Sequence, residues 1–352
     1  MYLIKSGNSL LNPPFSHIYV EKDVLSHENT LYIIGKFKKA SIIEVDSYKD
    51  IFSRPRQDFQ LQKKAPKLIV AKKHPPYYYE LPELCQRYDD NNYYYTSSIL
   101  NCVYNCHYCF LQGMHPSANL VVFVNIEDYF ESLIGLNKSL NSSDSQENPY
   151  SKKITLSVSY DSDLPALENI FPFTHKWLEF ARSNKFINIE IRTKSDNYNL
   201  ISDIEPLENA VLAWTLTPSP IAEKYEINAP SLPARLNSIE KAIEDGWKVR
   251  LCFDPILYVE NYKEIYSEFF RHVFSIIDAG KITDASLGLF RMPSEYLNKI
   301  RKSSLHSDLI YYPFEVKNKV ACYGSKTGSE LINFTYSEIK RYIPESKIFN
   351  WE

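Results

Sequence analysis

The sequence predicts an α/β protein built on a partial (β/α)6 TIM-like barrel, with a small α/β unit at its N-terminal end. Apolar strand-like runs alternate with segments of helical periodicity between about residues 93 and 289. Such alternation indicates parallel strands joined by right-handed helical crossovers. The length of 352 residues allows one barrel-sized domain with a small companion.

Residues 1–90 are predicted to form the N-terminal α/β unit and a basic connection. Strands are expected over 17–20, 30–34 and 41–45, and a short helix from about residue 46. A stretch rich in Lys and Arg follows at 54–73. A solvated surface explains such a charge run, and contact with a nucleic-acid backbone is the alternative.

Residues 91–304 are predicted to form the barrel, in about six βα units. The expected strands cover 93–97, 154–159, 187–193, 210–216, 248–253 and 282–289, and the expected helices cover 126–136, 165–184, 197–201, 232–244 and 262–277. The polar segment 137–152 reads as a flexible connection. Residues 305–352 form a predicted extension with a hairpin at 317–319 and a last helix at 336–342.

Composition narrows the class of protein. A net charge of −3 gives no global basic field, so a nucleic-acid site must be a local patch. No apolar run reaches the roughly 18 residues that span a bilayer, and the first residues lack the apolar core of a signal peptide. The layout of the six cysteines fits a reducing compartment. We therefore expect a cytoplasmic protein with no membrane partner.

Three cysteines stand together after the first predicted barrel strand. Cys102, Cys106 and Cys109 have the spacing CxxxCxxC, and three thiolates can hold three irons of a [4Fe–4S] cluster. The fourth iron is then open to the amino and carboxylate groups of S-adenosylmethionine (SAM). The spacing is that of the radical-SAM superfamily, in which an aromatic residue usually precedes the last cysteine, as Tyr108 does here.

Zinc is the main alternative ligand for this triplet. A structural zinc site needs a fourth ligand and usually pairs two short cysteine spacings. His107 lies inside the triplet and would have to double back, and the other three cysteines are isolated in the sequence: Cys85, Cys252 and Cys322. The iron–sulfur interpretation is therefore favoured.

Further motifs follow the predicted strands, and together they resemble the spore photoproduct lyase family through most of the chain. IYVE at 18–21 resembles the family's opening strand, CHYCFLQ at 106–112 its CHYCYLQ, and DSD at 161–163 its TSD. TKSD at 193–196 and WTLTP at 214–218 resemble the family's TKxD and FSLNP. Downstream, YE at 225–226, APSL at 229–232 with Arg235, and DPI at 254–256 continue the agreement.

The resemblance implies a radical-SAM enzyme that repairs a thymine dimer made by ultraviolet light in DNA. A low-potential donor such as flavodoxin or ferredoxin supplies an electron, and SAM yields a 5′-deoxyadenosyl radical that removes the C6 hydrogen of the dimer. Because the dimer must leave the base stack, we expect binding to lesion-containing duplex DNA. Without a basic excess, the DNA contact should be modest and salt-sensitive.

The resemblance also implies the SAM-binding residues. Ser162, Lys194 and Thr215 lie at predicted strand ends, where the family binds SAM and where a barrel carries its chemistry. Lys194 would pair with the SAM carboxylate, since an ammonium is a compact donor. The hydroxyls of Ser162 and Thr215 would bind SAM hydroxyls or its amino-acid end.

The chain departs from the family at the hydrogen relay. The family has a cysteine immediately before its TSD run that returns a hydrogen atom to the thymine radical, and Tyr160 stands at that position here. The family also has a tyrosine directly after the third cluster cysteine. Phe110 stands at that position in this chain, whereas Tyr108 is retained. We therefore expect Tyr160 and Tyr108 to be the catalytic residues, with Cys252 or Cys322 as alternative hydrogen donors.

Two other functions remain open. One is a radical-SAM enzyme that acts on a different nucleotide or nucleic-acid substrate, to which Tyr160 would be suited. The other is a cluster-containing DNA-binding protein without turnover. The presence of the cysteine triplet together with Lys194 and Ser162 argues against the second.

Overall fold

The computed structural model describes residues 15–88, 90, 92–141, 152–303 and 305–351. Its strands are β1 (His17–Glu21), β2 (Ser41–Val45), β3 (Leu68–Ala71), β4 (Tyr79–Glu80), β5 (Tyr93–Tyr95), β6 (Ile99–Leu100), β7 (Asn105–Cys106), β8 (Leu120–Phe123), β9 (Ile154–Ser157), β10 (Ile187–Thr193), β11 (Ala210–Thr215), β12 (Glu226–Ile227), β13 (Lys248–Ile256), β14 (Asp284–Leu289), β15 (Arg291–Pro293), β16 (Glu315–Lys317), β17 (Val320–Cys322) and β18 (Ile348–Trp351).

The α-helices alternate with these strands through most of the chain. They are α1 (Glu28–Lys36), α2 (Lys49–Phe52), α3 (Phe59–Lys64), α4 (Leu111–Met114), α5 (Ile126–Asn141), α6 (Leu164–Leu167), α7 (Phe173–Ser183), α8 (Ser219–Tyr225), α9 (Leu232–Glu244), α10 (Tyr262–Ile276), α11 (Ser294–Arg301) and α12 (Ser325–Ile339). None of them, within the described ranges, is long and apolar enough to cross a membrane.

The described residues form two compact units. The first contains the residues up to Val103 with His115–Arg192 and Leu207–Ala210, and the second contains Tyr104–Met114, Thr193–Pro206 and the residues from Val211 onward. The division of the chain at residues 90 and 304 stays a prediction.

The first unit contains two groups of paired strands. One sheet has the order β2-β1-β3-β8-β6, in which β1, β2, β3 and β8 are parallel. In the other group β10, β9 and β5 are parallel neighbours, and β4 adds antiparallel to β5. Every residue of β3 and β8 is buried, as expected for central parallel strands covered on both faces.

The second unit contains the later parallel strands, in the order β18-β14-β13-β11. The helices α9 and α10 follow β11 and β13 as crossovers. The predicted hairpin at 317–319 is present as β16 and β17, with left-handed backbone at Asn318 and Lys319. A short antiparallel pair, β7 with β12, carries part of the cysteine loop.

The prediction of a strand over residues 30–34 is wrong, because these residues lie in the helix α1. The Nδ1 atom of His27 accepts a hydrogen bond from the N–H two residues further on and caps the helix. Thr30 and Ile33 are buried while Leu31 is exposed, so helical spacing brings the core-facing residues together. Tertiary packing thus overrides the β preference of this run.

Three helix boundaries also differ from prediction. The helix expected over 165–184 is divided into α6 and α7, since Pro172 lacks an N–H and disfavours helical backbone in the residue before it. The last helix, α12, begins at Ser325, well before the expected residue 336, and ends at Ile339. The polar segment predicted as a connection begins inside α5, and its residues 142–151 lie outside the described ranges.

Candidate functional site

The cysteine triplet divides between the two units. Cys102 lies in the first segment of the first unit, one residue before its end, and its carbonyl accepts a hydrogen bond from Lys63 Nζ. Cys106, which is buried, and Cys109 belong to the second unit. All six cysteines are described, and none of them forms a disulfide. The donor chemistry of three thiols therefore fits an iron–sulfur cluster.

A preformed metal cage is not part of the described chain. Within the described ranges, no three or more His, Cys, Asp or Glu side chains are grouped to hold a metal ion. The assignment of a cluster to Cys102, Cys106 and Cys109 therefore rests on their spacing and on the absence of disulfides.

Backbone and side-chain hydrogen bonds hold the turn between the last two cysteines. Cys106 lies opposite Glu226 in the β7–β12 pair. Gln112 Nε2 donates to the Cys106 carbonyl at 2.6 Å, and the Cys109 N–H donates to the same carbonyl at 3.0 Å. The Cys106 backbone thus pairs with β12 and accepts hydrogen bonds from α4 and from within the turn, and these contacts fix the conformation of the turn.

A buried hydrogen-bond network surrounds the Glu226 carboxylate in the second unit. The Tyr108 hydroxyl donates to Oε1 of Glu226, and the Thr217 hydroxyl donates to the same oxygen at 2.8 Å. Arg235 Nη2 donates to the other oxygen, Oε2. Arg235 also donates to the Thr215 carbonyl at 3.0 Å. The carboxylate thus receives charge-assisted and neutral hydrogen bonds that compensate for its removal from water.

The charges of this network keep one another ionised. Burial opposes ionisation of Glu226, but Arg235 and Lys194 lower the pKa of its carboxyl below the usual value. Burial likewise opposes the charge of Lys194, yet Glu226 and the Cys106 thiol raise the pKa of its ammonium. Lys194 Nζ lies 5.5 Å from the centroid of the Tyr108 ring. The second unit therefore holds a stable positive charge beside the residue that precedes the last cysteine.

The carboxyl end of β9 carries unsatisfied polar atoms in the first unit. Ser162 Oγ and Asp161 Oδ1 are buried and have no hydrogen-bond partner among the described residues. The other carboxylate oxygen of Asp161 accepts from the Ser97 hydroxyl, and burial raises the pKa of Asp161 to about 6. Leaving a buried polar atom without a partner costs about 1–3 kcal/mol. This strand end is suited to receive polar groups of a ligand.

The predicted SAM-binding residues are placed as follows. Ser162 lies in the first unit, whereas Lys194 and Thr215 belong to the second. Thr215 ends β11 and is buried, with its carbonyl bound to Arg235. Sequence reasoning overlooked Glu226 and Arg235 as site residues, although both occur in the family-like motifs.

Tyr160 has a thiol beside its hydroxyl. Cys85 Sγ lies 3.7 Å from the Tyr160 hydroxyl oxygen, within hydrogen-bonding reach for sulfur. The Tyr95 ring packs on the Tyr160 ring with centroids 4.2 Å apart. In the sequence Cys85 is isolated, because 75 positions separate it from Tyr160. No local motif signals this contact.

The alternative hydrogen donors are both in strands of the second unit. Cys252 is fully buried in β13, opposite Thr215 of β11. Cys322 lies in β17, and burial raises the pKa of its thiol. A role for either in hydrogen transfer stays a prediction.

The fold and the cysteine motif together define a class of mixed α/β protein. In this class a cysteine-rich loop follows an early strand, as residues 102–109 follow β5 and β6 here. A model of the family "Spore photoproduct lyase" matches residues 86–348. The chain belongs to the spore photoproduct lyase family.

Individual relatives agree with this assignment. A spore photoproduct lyase from Geobacillus sp. is 21% identical over 261 residues, which cover 70% of this chain and 73% of that protein. A solved lyase mutant with bound AdoMet and dinucleoside spore photoproduct has a TM-score of 0.77 at 18% identity, covering 96% of this chain and 98% of that one. A lyase complexed with dinucleoside spore photoproduct has a TM-score of 0.76 at 16% identity, covering 96% and 99%. The predicted fold class, an α/β partial barrel, is confirmed.

Proposed function

We propose that this protein is a radical-SAM enzyme that repairs the spore photoproduct type of thymine dimer in DNA. The observation that carries this proposal is the family match over residues 86–348, which includes the whole cysteine triplet. The relatives with a dinucleoside spore photoproduct support a DNA lesion as the substrate. The cysteines form no disulfide, which favours action in the reducing cytoplasm.

The cofactors in this proposal are a [4Fe–4S] cluster and SAM. The thiolates of Cys102, Cys106 and Cys109 would hold the cluster. When both cofactors are bound, they would use one electron from a low-potential donor such as flavodoxin or ferredoxin to supply the radical chemistry that removes a hydrogen atom from the lesion.

The chain's own residues would orient SAM. Lys194 stays positively charged and can pair with the SAM carboxylate, because Glu226 and Cys106 favour the ammonium form. Ser162 Oγ, buried without a partner among the described residues, can donate to or accept from a SAM polar group. Thr215 would add a hydroxyl from the end of β11. Tyr108, held by Glu226, would pack against the charged Lys194 and fix its position.

The lesion has to leave the duplex to reach this chemistry. Extruding a damaged base costs less than extruding a paired one, because the lesion is already poorly stacked. With a net charge of −3, DNA attraction must come from local Lys and Arg side chains rather than from the whole surface.

The test is anaerobic reconstitution with iron and sulfide, followed by addition of SAM, a reductant and a dinucleotide spore photoproduct. We expect 5′-deoxyadenosine to form and thymine-containing product to be released. Cys106→Ala should lose both, whereas Asp278→Asn, at an exposed position outside the site, should lose neither. Well-reconstituted protein that makes no 5′-deoxyadenosine would contradict the proposal and favour a DNA-binding protein without turnover.

A second candidate is a radical-SAM enzyme for a different nucleotide or nucleic-acid lesion. The observation that favours it is the altered relay, with Tyr160 and Phe110 at the positions of the family's cysteine and tyrosine. SAM cleavage without release of thymines from the dinucleotide would select this second candidate.

A further inference from the structure

We propose that Ser307 is a positioning residue for the turn between Cys106 and Cys109, and that it acts through the ring of His107. This inference rests on the proposed function and concerns the cluster site of the same protein. His107 lies inside the turn, and its Nδ1 atom is 3.0 Å from Ser307 Oγ. Both residues belong to the second unit, so a hydrogen bond across 200 positions joins the turn to a segment near the C-terminal end.

A second connection from the same segment runs through Tyr225 at the end of α8. The His107 N–H donates to the Tyr225 carbonyl at 2.8 Å, and the Tyr225 hydroxyl donates to Asp308 Oδ1 at 3.0 Å. The rings of His107 and Tyr225 also meet edge to face, with centroids 5.9 Å apart. Because Asp308 directly follows Ser307, these contacts form a closed set that holds both the backbone and the side chain of His107.

The segment that carries Ser307 is itself held by α11. Arg301 Nε donates to the Ile310 carbonyl at 2.7 Å, and Arg301 Nη2 donates to the Tyr312 carbonyl at 3.0 Å. Leu309 and Ile310 are buried. A side chain can fix the position of another only when its own backbone is supported. The Ser307 hydroxyl is therefore presented to the turn from a fixed support.

Burial makes Ser307 the stronger of the two contacts from this segment. Ser307 is 7% exposed, whereas the side chain of Asp308 is 65% exposed and pairs with the equally accessible Lys224 at 2.6 Å. Removing one partner of a hydrogen bond shielded from water costs more than breaking an exposed ion pair. We therefore assign the positioning role to the Ser307 hydroxyl and only a supporting contact to Asp308.

The position of His107 explains why this contact matters for a metal cluster. Cys106 and Cys109 flank it on either side, so a shift of its backbone changes the separation of two thiols. Groups behind the ligands of a metal orient those ligands and tune the metal that they hold. The hydrogen bond to Ser307 gives the His107 ring such a role without making it a ligand.

The first test uses amide hydrogen exchange of cluster-free protein, read by mass spectrometry of peptides that cover residues 106–109. In Ser307→Ala these amides should exchange at least about tenfold faster than in wild type, because the turn opens more often. Asp308→Asn should change the rate by less than about threefold. The matched control is Ser337→Ala, at an exposed position in α12, and it should exchange as wild type does.

Ser307→Thr separates the hydrogen bond from simple packing. It keeps the hydroxyl, so its peptides should exchange at the wild-type rate. Exchange in Ser307→Thr as fast as in Ser307→Ala, or wild-type exchange in Ser307→Ala, would overturn the proposal. Circular dichroism of each variant would show that the chain is folded. This measurement needs no cluster, SAM or lesion, so it decides the role of Ser307 even if the proposed function fails.

The second test uses protein reconstituted with iron and sulfide, without SAM or lesion. Ser307→Ala should lose iron to a chelator at about 10–100-fold lower chelator concentration than wild type. Its reduced cluster should also give a shifted or broadened electron paramagnetic resonance spectrum, because the thiolates no longer keep one arrangement. Ser307→Thr should restore both properties. Unchanged iron retention and an unchanged spectrum in Ser307→Ala would overturn the positioning role while leaving the proposed function intact.

Discussion

Asp161 is a carboxyl group in a position that disfavours its charge. It is 3% exposed, and burial outweighs the hydrogen bond from Ser97 and the attraction of Lys73, so its pKa is raised to about 6. Since the folded pKa exceeds the unfolded value, the protonated form stabilises the fold. That contribution is fully present below about pH 4 and is lost as the pH rises through about 6.

The variant Asp161→Asn should therefore be more stable than wild type at pH 8. The amide stays neutral and keeps an acceptor for Ser97, so the gain should approach about 2–3 kcal/mol at pH 8 and vanish near pH 3.5. Urea unfolding of cluster-free protein at both pH values measures it. The exposed Asp278→Asn serves as control and should show no such pH-dependent gain. Parallel pH profiles for Asp161→Asn and wild type would contradict this account.

The buried Glu226 carboxylate supplies the negative charge that balances the positive charges of Arg235 and Lys194 in the second unit. The side chains of Arg235 and Glu226 are 1% and 0% exposed. Glu226→Gln leaves Arg235 without its countercharge, and we expect a loss of about 3–5 kcal/mol in the free energy of unfolding. Combining it with Arg235→Met should recover part of that loss, because the uncompensated charge is gone. A loss below about 1 kcal/mol in chemical unfolding would show that the pair is not tightly coupled.

At the scale of elements, α4 connects the cysteine turn to α11. Gly113 lies in α4, and a Cβ atom there would come within 2.5 Å of the Tyr296 backbone in α11. Backbone atoms cannot move aside cheaply, so Gly113→Ala must shift α4 and with it the Cys109 end of the turn.

We expect Gly113→Ala to lower both stability and the iron bound after reconstitution. Overpacking of this kind typically costs about 1–3 kcal/mol. The control is Gly135→Ala in α5, where no atom lies within 4 Å of the new Cβ and a gain of up to about 1 kcal/mol is expected from helix propensity. Thermal unfolding and iron analysis of both variants decide the matter. Unchanged iron content in Gly113→Ala would mean that α4 does not position the cysteines.

Elements with strong local signals could be predicted from the sequence. The helix α9 has the predicted bounds, since Ser231 and a proline in the first turn mark its start. The run at 30–34 could not be assigned in the same way, because its β-branched and aromatic residues favour a strand in isolation. The Cys85–Tyr160 contact depends on tertiary structure across 75 positions, so no periodicity or motif could indicate it.

For the whole molecule, the charge balance limits the affinity for DNA that follows from the proposed function. With 40 Lys and Arg against 43 Asp and Glu, few phosphates can be neutralised at once. We expect affinity for lesion-containing duplex to fall by less than about a thousandfold between 50 and 200 mM salt, the range below that of about six phosphate contacts. Fluorescence anisotropy across this salt range measures the slope. A steeper fall would indicate a larger basic surface than the composition suggests.

The unsatisfied oxygens at the end of β9 have a consequence for the life of the protein in the cell. A ligand that binds the folded chain alone shifts the unfolding equilibrium by mass action, and the gain includes the cost of leaving Ser162 Oγ without a partner. Chains that lack their ligand open more often and are degraded faster. The abundance of this protein should therefore follow the supply of the ligand that binds this strand end.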